Sequence, residues 1–269
     1  MSDAVITGKE GAGEGSDWKP LILKALIIIL SLFLLAEFTF YTIVIPMTSR
    51  INVSVIGSAT IGADEICSYA GITGAEKWVN FDTARIASRL ATNPLFKKVL
   101  VEKKFPDRVI VTVTERVAVA VTFGTVNGRT VPLEIDRSGM VFRIGKASGN
   151  ASLPLITGLT FENPIPGVRL NAQLKPLLDD LAALEAKNPV LLSSVSEIKI
   201  AQKTYGGYDL VVYPVHTPIR VRTDKALNED ALQYMMLVLD VVDDMGLDLG
   251  EIDIRAGTVA YRVRGESLE

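Results

Sequence analysis

One histidine and one cysteine stand in 269 residues, and that scarcity bounds the chemistry open to the chain. His216 lies in the stretch Tyr213-Pro214-Val215-His216-Thr217-Pro218, between two expected strands. A catalytic histidine needs a nucleophile or a carboxylate set beside it. No Gly-x-Ser-x-Gly or comparable nucleophile signature accompanies it, so a solvated turn histidine is expected. Cys67 has no second cysteine to pair with. It sits near the apolar face of a short predicted helix and reads as a small buried residue. Asp136, Asp243, Asp244 and Asp253 lack calcium-loop spacing. Gly206-Gly207 lacks the following Lys-Ser/Thr of a phosphate loop, and Gly11, Gly13 and Gly15 precede no strand–helix turn. No metal or cofactor is implied. The net charge of −3, without a basic patch, argues against nucleic acid. These counts lean away from an enzyme and toward a binding protein.

Two kinds of residue remain that can do binding chemistry. The first is Glu37, inside the run 21–45, LILKALIIILSLFLLAEFTFYTIVI. That run is about 25 positions long, and a bilayer core needs about 20 residues of helix. A single span in lipid must be helical to satisfy its own amides. The run exceeds the usual signal-peptide core and has no Ala-x-Ala exit, so a retained span is expected rather than a cleaved leader. Lys9, Lys19 and Lys24 on or near the N-terminal side, against Arg50 beyond it, favour a cytoplasmic N-terminus and an exported body. A carboxyl group at Glu37 costs a few kcal/mol in hydrocarbon unless protonated, paired or snorkelling. It either reaches the outer headgroups through a shift or tilt of the helix, or faces a partner helix.

The second kind is backbone, at the end of the chain. Residues 258–263, Thr258, Val259, Ala260, Tyr261, Arg262 and Val263, read as a closing strand after 251–255 and the turn Ala256-Gly257. At a sheet edge, unpaired amides and carbonyls would accept a strand from another chain, with outward side chains such as Tyr261 giving selectivity. Alternatively Arg262 and Arg264 blunt an idle edge.

The elements that must position these groups follow from pattern. Residues 1–17, rich in Gly, Ala, Ser and acids, read as a short disordered tail. INVSVI at 51–56 alternates as a strand. A helix over 63–70 is stopped by Gly71, and Asp82 caps DTARIASRL, which Asn93-Pro94 ends. Strands follow at 96–104 and 109–114 around Phe105-Pro106-Asp107-Arg108. This β-α-α-β-β order predicts a small domain with helices on one sheet face. Beyond it, 117–123 runs on as a strand, and 131–135 with 140–144 flank the turn Asp136-Arg137-Ser138-Gly139. Leu174, Leu177, Leu178, Leu181 and Leu184 stripe a helix over 171–188. Strands are expected at 195–200, 208–213 and 218–222, then a helix capped by Asn228 with Met235 and Met236 in its core face.

These residues carry a resemblance. The pattern Val55-x-Gly57, Ile66, Ala70-Gly71-Ile72, Phe81, Leu90, Asn93-Pro94, Val101, Lys104-Phe105-Pro106-Asp107, Ile110-x-Val-x-Glu115-Arg116 looks like a POTRA domain. A POTRA domain directly after one span resembles the bacterial cell-division family FtsQ/DivIB. "IDRSGMVF", "LPLITG" and "EIDIRAGTVAYRV" resemble further elements of that family, so the likeness runs from about residue 18 to 265. Ala118 stands where the family usually has proline, and the aromatic usual after Arg255 is missing.

The resemblance implies an α+β fold: one N-terminal transmembrane helix, a POTRA domain (β-α-α-β-β), and a C-terminal mixed α/β domain with a mostly antiparallel sheet. The expected divisions are a cytoplasmic tail at 1–20, the helix at 21–45, the POTRA domain at 50–118 and the β domain at 119–265. It implies a bitopic scaffold of the inner membrane at the division septum, working by binding. The terminal strand would hold an FtsB/FtsL-like complex. Arg222 is the nearest match to a basic residue that meets an acidic partner residue in the family. Val101 and Lys103 match a POTRA surface that serves recruitment of other divisome components; the bland reading is that Val101 packs the sheet and Lys103 is solvated. A membrane-anchored POTRA protein of export or outer-membrane assembly is the alternative.

Overall fold

The structure, a computed structural model, describes residues 18–146 and 153–264. The expected tail at 1–17 lies outside the described residues. Helix α1 (Trp18–Thr39) continues through a π-helical turn, Phe40–Val44, into a last α-helical turn, Ile45–Thr48. Residues Trp18–Val44 form one helix long and apolar enough to cross a bilayer, and none of it is buried against the rest of the chain. The hydroxyls of Thr39 and Thr42 donate to the carbonyls of Leu35 (2.7 Å) and Phe38 (2.6 Å), so neither needs water as a partner. Glu37 is exposed on this helix.

The first globular unit is built from β1 (Asn52–Ile56), α2 (Ala63–Ala70), α3 (Thr83–Ala91), β2 (Phe96–Lys104) and β3 (Arg108–Glu115). Its sheet order is β1-β3-β2, with β1 parallel and β2 antiparallel to β3. The local rules operate as read. Gly71 closes α2 in the left-handed region (φ 71°), and the Asp82 carboxylate accepts from the Arg85 amide (3.0 Å) at the start of α3. Val109, Val111 and Val113 alternate onto one face and bury against Ile66, Ile86 and Leu90.

The second unit is a nine-stranded sheet ordered β12-β11-β10-β9-β8-β7-β4-β5-β6. Its strands are β4 (Ala118–Val126), β5 (Arg129–Asp136), β6 (Val141–Ile144), β7 (Leu155–Thr157), β8 (Val195–Gln202), β9 (Tyr208–Pro214), β10 (Arg220–Thr223), β11 (Leu249–Asp253) and β12 (Ala260–Val263). Helices α4 (Lys175–Lys187), α5 (Pro189–Ser193) and α6 (Glu229–Asp244) cover one face. The expected leucine stripe is the heart of that core: Leu177, Leu178, Leu181 and Leu184 lie on α4 with Leu174 just before it. The pairing is mostly antiparallel; β4–β7, β7–β8 and β10–β11 are the parallel contacts. The stretch 153–158 is a connector in the sequence but becomes β7, the bridge between two halves of the sheet: Leu155 pairs with both Val121 and Glu197. Three residues are too few to show a period. Gly158 (φ 81°) ends β7 where an added Cβ would come within 2.3 Å of the Ile200 carbonyl oxygen.

Among the described residues, one ion pair ties the two units. Arg116 Nη1 meets Asp136 Oδ2 at 2.5 Å, while Arg116 Nε donates to the Pro94 carbonyl (3.0 Å). The other Asp136 oxygen accepts from the Ser138 amide and hydroxyl and the Met140 amide, and so closes the β5–β6 turn. Burial raises the Asp136 pKa, but these donors and Arg116 outweigh it and hold the carboxyl below its ordinary range. Removing Arg116 leaves a buried carboxylate half satisfied. Arg116→Met is therefore expected to cost about 2–3 kcal/mol and to loosen the two units. Spin-label distances between α3 and α4 should broaden, while the melting of each unit's own core persists.

Candidate functional site: the open edge of the large sheet

The nine-stranded sheet has two edges, and they are treated differently. At β6 the edge is occupied by the loop that follows: the Val141 amide donates to the Val168 carbonyl and the Gly167 amide to the Val141 carbonyl, both at 2.8 Å. At β12 no segment among the described residues lies outside the strand.

The register shows what β12 presents. The Arg264 amide donates inward to the Asp248 carbonyl (3.1 Å). In an antiparallel ladder, alternate residues point their amides the same way. Arg262 and Ala260 therefore turn inward to β11, and the backbone groups of Tyr261 and Val263 turn outward. Side chains alternate independently of this. Tyr261 stands opposite buried Ile252, and Val263 opposite buried Leu249, so both lie on the helix-covered face yet beyond its cover. Tyr261 is 64% and Val263 44% exposed. Arg262 is opposite Glu251 on the other face. An incoming strand would meet two free amides with an apolar row on one side and an arginine on the other.

The strand is anchored at its root. After β11, Arg255-Ala256-Gly257 form a single 3-10 turn, and Arg255 bridges Asp253 (Nη2–Oδ2, 2.5 Å) and the buried Asp209 of β9 (Nη1–Oδ2, 2.6 Å). This turn shortens β12 relative to the expected 258–263: Thr258 and Val259 lie before the strand, with the Thr258 amide donating to the Arg255 carbonyl (3.3 Å). Next to this edge, Arg222 and Arg220 both hold Glu251, at 3.0 and 2.7 Å. Burial raises the pKa of Glu251, and the two arginines more than reverse that, leaving it lowered. Arg222 is thus near the β12 edge with part of its charge already engaged.

The POTRA residues are placed differently. Val101 is 9% exposed and packs in the core. Lys103 donates from Nζ to the carbonyls of Val79 and Phe81 (both 3.2 Å) and sits 4.5 Å over the Trp78 ring. Neither side chain projects freely, so what this region offers is the backbone edge of β2, the outer strand of its sheet, with Leu100 outward. His216 is exposed, as expected, and Cys67 is half-buried, its thiol pKa raised by burial and by Asp64.

Pattern reading passed over Glu115 as a mere motif letter. It accepts hydrogen bonds from the hydroxyls of Ser58 and Thr60 (both 2.5 Å) and from the amides of Ala59, Thr60 and Ile61. Its partners lie more than 50 residues away in sequence, and no local period could reveal them.

Among the described residues the architecture defines a class: one membrane-length helix, a three-stranded unit with two helices, and a one-sided sheet whose β12 edge is open. Residues 51–116 match the family described as "POTRA domain, FtsQ-type". The cell division protein FtsQ of Syntrophotalea carbinolica is 24% identical over 178 residues, covering 64% of this chain and 59% of that protein. The cell division protein FtsQ of a Geobacter species is 25% identical over 195 residues, covering 68% of each. Residues 51–116 thus form a POTRA domain of the FtsQ type, and the chain is similar to these cell division proteins over about two thirds of its length.

Proposed function

We propose that this protein is a membrane-anchored scaffold of the bacterial division machinery, working by binding rather than catalysis. Its α1 helix spans the inner membrane with the N-terminus in the cytoplasm. The POTRA unit receives other divisome components along the β2 edge. Strand β12 captures an FtsB/FtsL-like complex at the septum. The observation that carries this reading is the asymmetry of the large sheet among the described residues: its β6 edge is filled and its β12 edge is open. Main-chain hydrogen bonds give a strand-addition site its affinity. Confining all partners to one membrane raises their effective concentration, so that modest contacts suffice.

The test joins binding to topology. The full chain in nanodiscs is titrated with the FtsB/FtsL-like complex of the same organism, and a saturable isotherm is expected. Alkaline phosphatase fused after Glu269 is expected to be active, because the body would then be exported. Binding absent at high micromolar concentration would shift the reading to export or outer-membrane assembly. A silent fusion would overturn the orientation.

A further inference from the structure

Helix α6 has two apolar faces, and the sheet uses only one. Leu232, Met235, Val238, Leu239 and Val242 are buried in the core. Tyr234, Leu237, Val241 and Met245 follow at spacings of three, four and four, and all are exposed, Leu237 by 60% and Met245 by 64%. At about 100° per residue these four fall within an arc of about 80°. Four exposed apolar side chains aligned on one helix face, rather than scattered singly, make a candidate interaction face.

Charge identifies what fits it. The helix carries Glu229, Asp230, Asp240, Asp243 and Asp244 and no lysine or arginine. Asp230 lies in line with the stripe, and Asp240 and Asp244 flank it on one side of the helical wheel. Asp240, Asp243 and Asp244 enter no ion pair among the described residues. An anionic lipid surface is repelled by such a rim. A second copy of this chain, set against itself about a two-fold axis, would bring carboxylate against carboxylate. We propose that this face of α6 docks an amphipathic helix of a partner protein, one whose apolar stripe is flanked by lysine or arginine. The site is separate from β12: it uses side chains of a helix, not backbone of an edge, and it stands whether or not a strand is added there.

The probe is a fluorescent, designed helical peptide of leucine and lysine at amphipathic spacing, titrated against the full chain in nanodiscs of neutral lipid. Saturable binding is expected. The double variant Leu237→Asp/Val241→Asp adds two negative charges, so purely ionic attraction would tighten; a seated apolar stripe predicts at least about a tenfold loss instead. Asp240→Lys/Asp244→Lys is expected to weaken binding to a similar degree, with thermal melting unchanged in both variants because all four positions are exposed. Equal or tighter binding by the Leu237→Asp/Val241→Asp protein would overturn the proposal. So would equal binding of a peptide whose leucines are replaced by serine. Recruitment of the stripe to anionic vesicles, or stripe-dependent dimerisation in sedimentation, would assign the face to another occupant and overturn it equally.

Discussion

Tyr261→Pro is expected to abolish capture of a partner strand while leaving the fold intact. The Tyr261 amide points away from β11, so proline there removes a donor that the sheet itself does not use. The ring also fills the space an incoming carbonyl would approach. Losing that hydrogen bond and the tyrosine contact together is worth about 2–3 kcal/mol, or roughly a 30–150-fold rise in Kd. The neighbouring Arg262→Pro is the control with the opposite signature. Its amide faces β11, so it should lower the melting temperature of the sheet edge. Tyr261→Val, which keeps the amide and the strand preference, should lose only the side-chain share. Titration of the FtsB/FtsL-like complex against the three variants separates these effects. Undiminished affinity of Tyr261→Pro with unchanged melting would mean that β12 is not augmented.

The contrast between these adjacent positions was not legible in the sequence, and the reason is physical. Alternation of Val, Tyr and Val announces a strand, but which amides face outward depends on the phase of pairing with β11. A register shift between Leu249 and Glu251 and the Arg255-Ala256-Gly257 turn set that phase. The POTRA unit was far more legible. Its caps are single residues with local partners: Asp82 on Arg85, Gly71 closing α2. The valines of β3 alternate without interruption. The leucines of α4 were equally plain, since four recur at helical spacing with Leu174 leading into them. What stayed hidden were contacts that join distant stretches: β7 as a three-residue bridge, the Arg116–Asp136 tie, and the Arg255–Asp209 anchor. Arg116 and Asp136 each belonged to a recognised motif, and only the fold reveals that they hold one another.

Glu115→Gln is expected to destabilise the POTRA unit more than exchange of any of its exposed polar residues. The loop after β1 bends at Gly57 (φ 88°), where an added Cβ would lie 2.3 Å from the Val113 carbonyl oxygen, so the loop is pressed onto β3. Its amides at Ala59, Thr60 and Ile61 then find their acceptor in the Glu115 carboxylate. Burial raises the pKa of this group, but the hydroxyls of Ser58 and Thr60 and the loop amides outweigh it and bring it from 4.5 down to about 2. A glutamine turns one donor group toward these donors and leaves part of the cluster unsatisfied. After discounting for water contact, the expected loss at pH 7 is about 2–3 kcal/mol. Because the folded pKa is depressed, the stabilisation is fully present above the unfolded value near 4.5 and is lost as pH falls toward 2. The gap between wild type and Glu115→Gln should therefore be widest at neutral pH and shrink below pH 4.5. Trp78 is the readout, since its indole donates to the Arg108 carbonyl (3.1 Å) inside this unit and Trp18 lies on α1. A denaturation midpoint for Glu115→Gln equal to wild type at pH 7, or a gap that stays constant to pH 3, would remove the carboxylate from its place as the staple of the domain.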